Sequence, residues 1–119
     1  MITAGVHHVA VNVDDLDAAL RFYTEGFGFV PRTDRPDFGI AGAWLDMGSH
    51  QLHLVEIPGE RAPDSGGHFA LRVDDLDAVV TTLRDRGIEV FDSPHFPGAG
   101  HQAFVRDPAN NLIELNEPD

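Results

Sequence analysis

Hydrophobic and polar residues change their period along this chain twice, each time in the same way. Val9, Val11 and Val13 alternate with His8, Ala10 and Asn12, the period of two that a half-buried strand requires. Asp14 and Asp15 follow; they suit a helix start, where a side-chain oxygen caps free N–H groups and negative charge meets the positive dipole end. Leu16, Ala19, Leu20, Tyr23 and Phe27 then recur at helical spacing, with Gly26 and Gly28 near the stop. The order returns with Phe69, Leu71 and Val73, then Asp74 and Asp75, then Leu76, Val79, Val80, Leu83 and the terminating Gly87.

The two passages are copies of one phrase. His8-Val-Ala-Val-Asn-Val-Asp-Asp-Leu-Asp-Ala is echoed by His68-Phe-Ala-Leu-Arg-Val-Asp-Asp-Leu-Asp-Ala, about half the 119-residue chain later. Internal repetition at this scale predicts two similar modules in tandem. After each helix come three strand-like runs, near 29–32, 43–48 and 51–57 in the first half and near 88–91, 102–106 and 112–116 in the second. The Pro- and Gly-rich stretch 58–67 reads as the connection. The predicted architecture is α+β, with βαβββ twice, in a single domain comprising modules 1–57 and 68–119. Segment 92–100, with two prolines and two glycines, is expected to be a mobile loop at a sheet rim.

Composition narrows the chemistry. The formal charge is −12, from 20 acidic and 8 basic residues, so a nucleic-acid or anionic-membrane partner is not expected. Neither a signal peptide nor a membrane span is read from the sequence, and the default is a cytoplasmic protein with a small-molecule partner. Cysteine is absent, so a metal would rest on His, Asp or Glu.

The pleat selects four such residues. Burying Val9, Val11 and Val13 turns His8 to the opposite face, and the same logic turns His68 away from Phe69, Leu71 and Val73. Leu52 and Leu54 flank His53, and Ile113 and Leu115 flank Glu114. Four strands, two per module, thus each carry one metal-competent group on the face away from the helix. Three imidazoles and one carboxylate suit a single divalent cation, Zn, Ni, Co, Fe or Mn.

The phrases around these residues resemble the vicinal oxygen chelate superfamily, the fold of glyoxalase I, bleomycin-resistance proteins and extradiol dioxygenases. The matching segments are the two repeats, Arg21-Phe-Tyr-Thr-Glu-Gly-Phe-Gly-Phe, and Asp107-Pro-Ala-Asn-Asn-Leu-Ile-Glu-Leu. The resemblance implies paired βαβββ modules forming an open, U-shaped mixed sheet around a metal-binding cleft, with His8, His53, His68 and Glu114 as ligands and a homodimer as the assembly. It also implies a lyase or isomerase that stabilises an enediolate-type intermediate, with Glu114 as the base. Two alternatives stand beside it: a metal-free, bleomycin-resistance-like sequestering protein, and an Fe(II)-dependent dioxygenase using His8, His68 and Glu114. A histidine at position 53 departs from the Glu or Gln usual in glyoxalase and epimerase. Glu25 stands where glyoxalase I tends to carry a basic residue for glutathione, which argues against glutathione as the thiol.

Further candidates for the substrate are Asn12 and Arg72, which share the parity of His8 and His68. Trp44 and Phe104 occupy equivalent strands, either packing in the core or stacking on a ligand. His101 borders the 92–100 loop, as a lid acid or as a plain surface histidine. Asn110 stands where relatives usually carry Gly, and Asn tolerates the left-handed conformation such a turn needs.

Overall fold

The computed structural model describes residues 2–119. Its elements follow the order β1 (His8–Val13), α1 (Leu16–Arg21) continuing into a π-helical turn (Phe22–Gly26), β2 (Val30–Pro31), β3 (Gly42–Met47), β4 (His50–Glu56), β5 (His68–Arg72), α2 (Leu76–Asp85), β6 (Phe91–Asp92), β7 (His101–Arg106) and β8 (Leu112–Glu117). This is βαβββ twice. The chain divides into two compact units, 1–62 and 63–119, with the division inside the connecting stretch.

Each unit is a four-stranded mixed sheet with its own helix. The first has strand order β1-β4-β3-β2 and the second β5-β8-β7-β6. In both, the first strand runs parallel to the last and the remaining pairs are antiparallel. The register repeats as well: His53 lies between Ala10 and Trp44, and Glu114 between Ala70 and Phe104.

Each helix is fastened at its start by the same two carboxylates. Asp15 accepts from the Ala18 N–H and Glu56, at the end of β4, from that of Leu16. Asp75 accepts from Ala78, and Glu117, at the end of β8, from Leu76. These bonds satisfy donors that a helix leaves open and tie the helix to its sheet. The helix ends correspond too. Gly87, at φ +80°, donates to Arg84, and Ile88 donates to Leu83, the paired bonds that close a helix on a left-handed residue. Gly28, at φ +76°, donates to Thr24.

The helix-facing sides form the cores: Val13, Ala19, Tyr23, Leu45, Leu52 and Leu54 in the first unit, and Val80, Leu83, Ala103, Val105, Ile113 and Leu115 in the second. Burying each such Leu or Val is worth about 1.5–3 kcal/mol. The runs expected at 29–32 and 88–91 are shorter than the hydrophobic pattern suggests, with ladders only at Val30–Pro31 and Phe91–Asp92. The reason is local: Phe29 and Ile88 donate back to Tyr23 and Leu83 of the preceding helices, and the Val90 carbonyl is taken by Arg84. Asn110, at φ +68°, is the one non-glycine residue with positive φ among the described residues. The turn it occupies is held by Asp107, which accepts from the N–H groups of Ala109 and Asn111.

Candidate functional site

In the first unit the face away from α1 carries a column of rings. His8 and His53, from parallel neighbouring strands, stack with centroids 3.9 Å apart and planes 14° apart. Trp44, directly across from His53, stacks on its other side at 4.5 Å and 10°. His53 Nε2 bonds Gln51 Oε1 at 2.9 Å, and His8 Nδ1 lies 2.9 Å from His7 Nδ1. Burial, foremost, and then the nearby charges of His8, His7, Arg35 and Arg32 hold the His53 pKa below the usual histidine value. A neutral imidazole is the form a metal requires.

In the second unit the same face carries a polar clasp. Glu114 is 8% exposed, although it points away from the helix. Its Oε1 lies 3.1 Å from His68 Nε2, and its Oε2 accepts from Asn116 Nδ2 at 2.9 Å and Gln102 Nε2 at 3.3 Å. His68 Nδ1 lies 2.7 Å from the Gly66 carbonyl. A carbonyl only accepts, so Nδ1 carries the hydrogen, and Nε2 is left facing a carboxylate. Phe104 meets the His68 ring edge-on at 5.9 Å.

The two pairs differ in readiness for a metal. An imidazole donates in its ring plane, with a metal–nitrogen distance of about 2.0–2.1 Å for zinc. His68 turns Nε2 toward Glu114, with the far nitrogen of the imidazole fixed by a carbonyl as metal-binding histidines commonly are. Two rings stacked as His8 and His53 are cannot share an ion, because no point within reach lies in both planes. Sharing an ion would require one ring to turn, and exposed His8, whose one hydrogen bond among the described residues is to His7, is the freer of the two.

The remaining candidates divide. Trp44 and Phe104, both half-buried, stand against the candidate ligands rather than in the cores. Asn12 donates to Glu60 Oε1 at 3.0 Å. Arg72 is exposed, at the position paired with Asn116. His101 shares the parity of Ala103 and Val105, not that of Phe104, and stacks on His95 at 4.0 Å. It belongs to an exposed group with His95 and Asp119 whose ligand atoms lie within 4.8 Å of one another. Asp119 bonds His95 Nε2 at 2.8 Å and the Gly98 N–H at 2.7 Å, and these bonds hold its carboxyl below the usual range. Segment 92–100, expected to be free, is thus fastened to the chain's last residues, with Asn116 also donating to Ala99. The partners that sequence reasoning missed are Gln51, Asn116, Gln102 and Gly66. The first two lie two residues from His53 and Glu114, so the strand period alone could have found them.

Residues 5–115 match the family model described as the Glyoxalase/Bleomycin resistance protein/Dioxygenase superfamily. A lactoylglutathione lyase of Arabidopsis thaliana is 34% identical over 119 residues, covering 91% of this chain. The chain spans only 42% of that plant protein's length. Among solved structures, TnmS3, an antibiotic binding protein from Streptomyces sp. CB03234, is 34% identical with a TM-score of 0.76, covering 100% of this chain and 99% of its own. A lactoylglutathione lyase from Agrobacterium tumefaciens is 25% identical with a TM-score of 0.78, covering 98% and 96% respectively. No described helix is long and apolar enough to cross a membrane. With its two βαβββ units and a family match running from residue 5 to residue 115, the chain belongs to the Glyoxalase/Bleomycin resistance protein/Dioxygenase superfamily.

Proposed function

We propose that the protein is a divalent-metal-dependent enzyme of the glyoxalase type, a lyase or isomerase that moves a proton at a carbon beside oxygen-bearing carbons of a small molecule. One observation carries this reading: a nearly buried carboxylate, Glu114, faces a histidine nitrogen whose ring is already oriented from behind by Gly66. His8, His53, His68 and Glu114 are the proposed ligands of the cation. When bound, a Zn, Ni, Co, Fe or Mn ion would supply a Lewis acid that stabilises negative charge on the substrate's oxygens.

The chain's own residues do the rest. Asn116 and Gln102 hold Glu114 Oε2, so Oε1, which faces His68 Nε2, is the oxygen assigned to accept and return a proton. Trp44 stands against His53 and Phe104 against His68, where each restricts water, and Arg72 supplies an exposed cation for the substrate's polar end. The working unit in this reading is a homodimer, which light scattering during gel filtration would report as twice the 13.0 kDa chain mass.

Glu114→Gln tests it, because glutamine preserves the shape but not the base. Turnover of hemithioacetals of 2-oxoaldehydes and of acyl-CoA epimers, followed by deuterium uptake from solvent, should fall by about 10²–10⁴-fold. Unchanged exchange would remove Glu114 from the chemistry. A second reading, a metal-free binding protein, is favoured by the His8–His53–Trp44 stack and by the likeness to an antibiotic binding protein. Under that reading the protein holds no ion, and the ring column itself takes the ligand.

A further inference from the structure

We propose that Arg35 forms an anion-binding subsite at the far end of the first unit's ring column, selecting an aromatic or otherwise planar ligand that carries a carboxylate or phosphate. The subsite rests on the proposed site and refines its ligand class, yet its anion-binding group, Arg35, is one that site does not use. The column does not stop at Trp44. Phe38 lies 6.1 Å from Trp44, and the Arg35 guanidinium sits 5.1 Å from the Phe38 ring centre. Arg35 Nη2 also donates to the Ile40 carbonyl at 3.0 Å.

This arginine is seated, not waving in solvent. It is half-buried amid an exposed loop. Gly42 makes room for it: a Cβ there would stand 2.7 Å from Arg35 Nη2 and 2.4 Å from the Leu54 carbonyl oxygen. The ring and the carbonyl fix the plane of the guanidinium and leave most of its five N–H donors unspent. Among the described residues no carboxylate pairs with it, whereas Arg32, three residues away, is neutralised by Asp34 and Asp46.

The space beside it suits a ligand. A pocket of about 520 Å³ opens between Leu16, Arg35, Asp37, Ile40 and Gly42. Ile40 on its wall is 54% exposed, and Phe38, which touches Arg35 but does not line the pocket, is 57% exposed. Asp37, the one carboxylate on the wall, has Oδ1 engaged by the Gly39 N–H. The exposed Phe38 ring outside the pocket and the fixed fork of donors of Arg35 on its wall together describe a planar anion. The local cation would thus outweigh the −12 charge of the whole chain, which on its own favours cations.

Trp44 is the only tryptophan, so its fluorescence reports the column directly. The full chain is titrated with benzoate, phenyl phosphate and benzamide, with and without EDTA. In EDTA, at least one of the two anions should bind about 10-fold more tightly than neutral benzamide, the margin of a charged hydrogen bond; which one does so identifies the anion. Arg35→Gln should erase that margin and leave benzamide binding unchanged, while Arg21→Gln, at an exposed arginine on α1, should retain it. Equal binding of the anions and benzamide by the unaltered chain would overturn the proposal, as would a preference that survives Arg35→Gln. The EDTA arm keeps this outcome separate from the metal: a failed subsite leaves the four-ligand reading standing, and a chain without metal still gives a clear answer here.

Discussion

The two units share a backbone plan down to their helix caps, and yet they present opposite chemistry on the same face. Where the first stacks His8, His53 and Trp44 into an aromatic column, the second holds Glu114 in a net of His68, Gln102 and Asn116. The positions correspond strand for strand: His53 and Glu114 both sit between an alanine and an aromatic residue. The scaffold therefore specifies where a side chain points, and the residue type decides what that place can do. A carboxylate needs donors and finds them two residues away and across the strand. A neutral imidazole needs only ring faces and one acceptor, Gln51.

If the frames are equivalent, equivalent core cuts should cost alike. Leu54→Ala and Leu115→Ala, each at a residue 1% exposed, should each lose about 2–5 kcal/mol in urea unfolding. A large inequality would show that one unit carries the fold. The sites, by contrast, should respond unequally. Asn116→Ala, which removes a donor to Glu114, should weaken metal binding by about 10–100-fold in competition with a chelator. Gln51→Ala should do less, since the ring stack still positions His53; equal losses would break the contrast. The caps return to symmetry: Asp15→Ala and Asp75→Ala should each cost about 1 kcal/mol.

The smallest effect is in pH. Burial holds the folded His53 pKa below its ordinary value, so the unfolded chain takes up that proton first as pH falls below about 6.5. The stability from keeping the ring neutral is present above that pH and is lost as pH falls through the lowered pKa. Urea midpoints at pH 7.5 and 5.5 should differ less in His53→Gln than in the unaltered chain. An identical pH slope would show that His53 is not the group responsible.

Much of this was legible in the sequence because it is periodic. The pleat alone turned His8, His53, His68 and Glu114 to the face away from the helices, and the repeated phrase announced both helix caps. Gln51 and Asn116 share that period and were missed all the same; most of what else escaped has none. The Gly66 carbonyl behind His68 and the seat of Arg35 against Gly42 depend on loop paths, which residue spacing does not encode. The parallel stack of His8 on His53 is a matter of ring rotation, while the pleat fixes only direction. The short β2 and β6 reflect helix ends that capture the next residues' N–H groups, a competition hidden in runs that look strand-like. His101 has the parity of the helix-facing residues, which alternation from Phe104 already implied.

The central proposal is that His8, His53, His68 and Glu114 are ligands of a divalent ion, and elemental mass spectrometry of untagged protein tests it most directly. The unaltered chain, His53→Ala and His68→Ala would be compared after reconstitution with Ni, Zn, Co, Fe or Mn and removal of free metal. The account expects one tightly held ion per chain, lost in both variants. An ion retained at full occupancy in His53→Ala, or no ion bound by the unaltered chain with any of these metals, would contradict it.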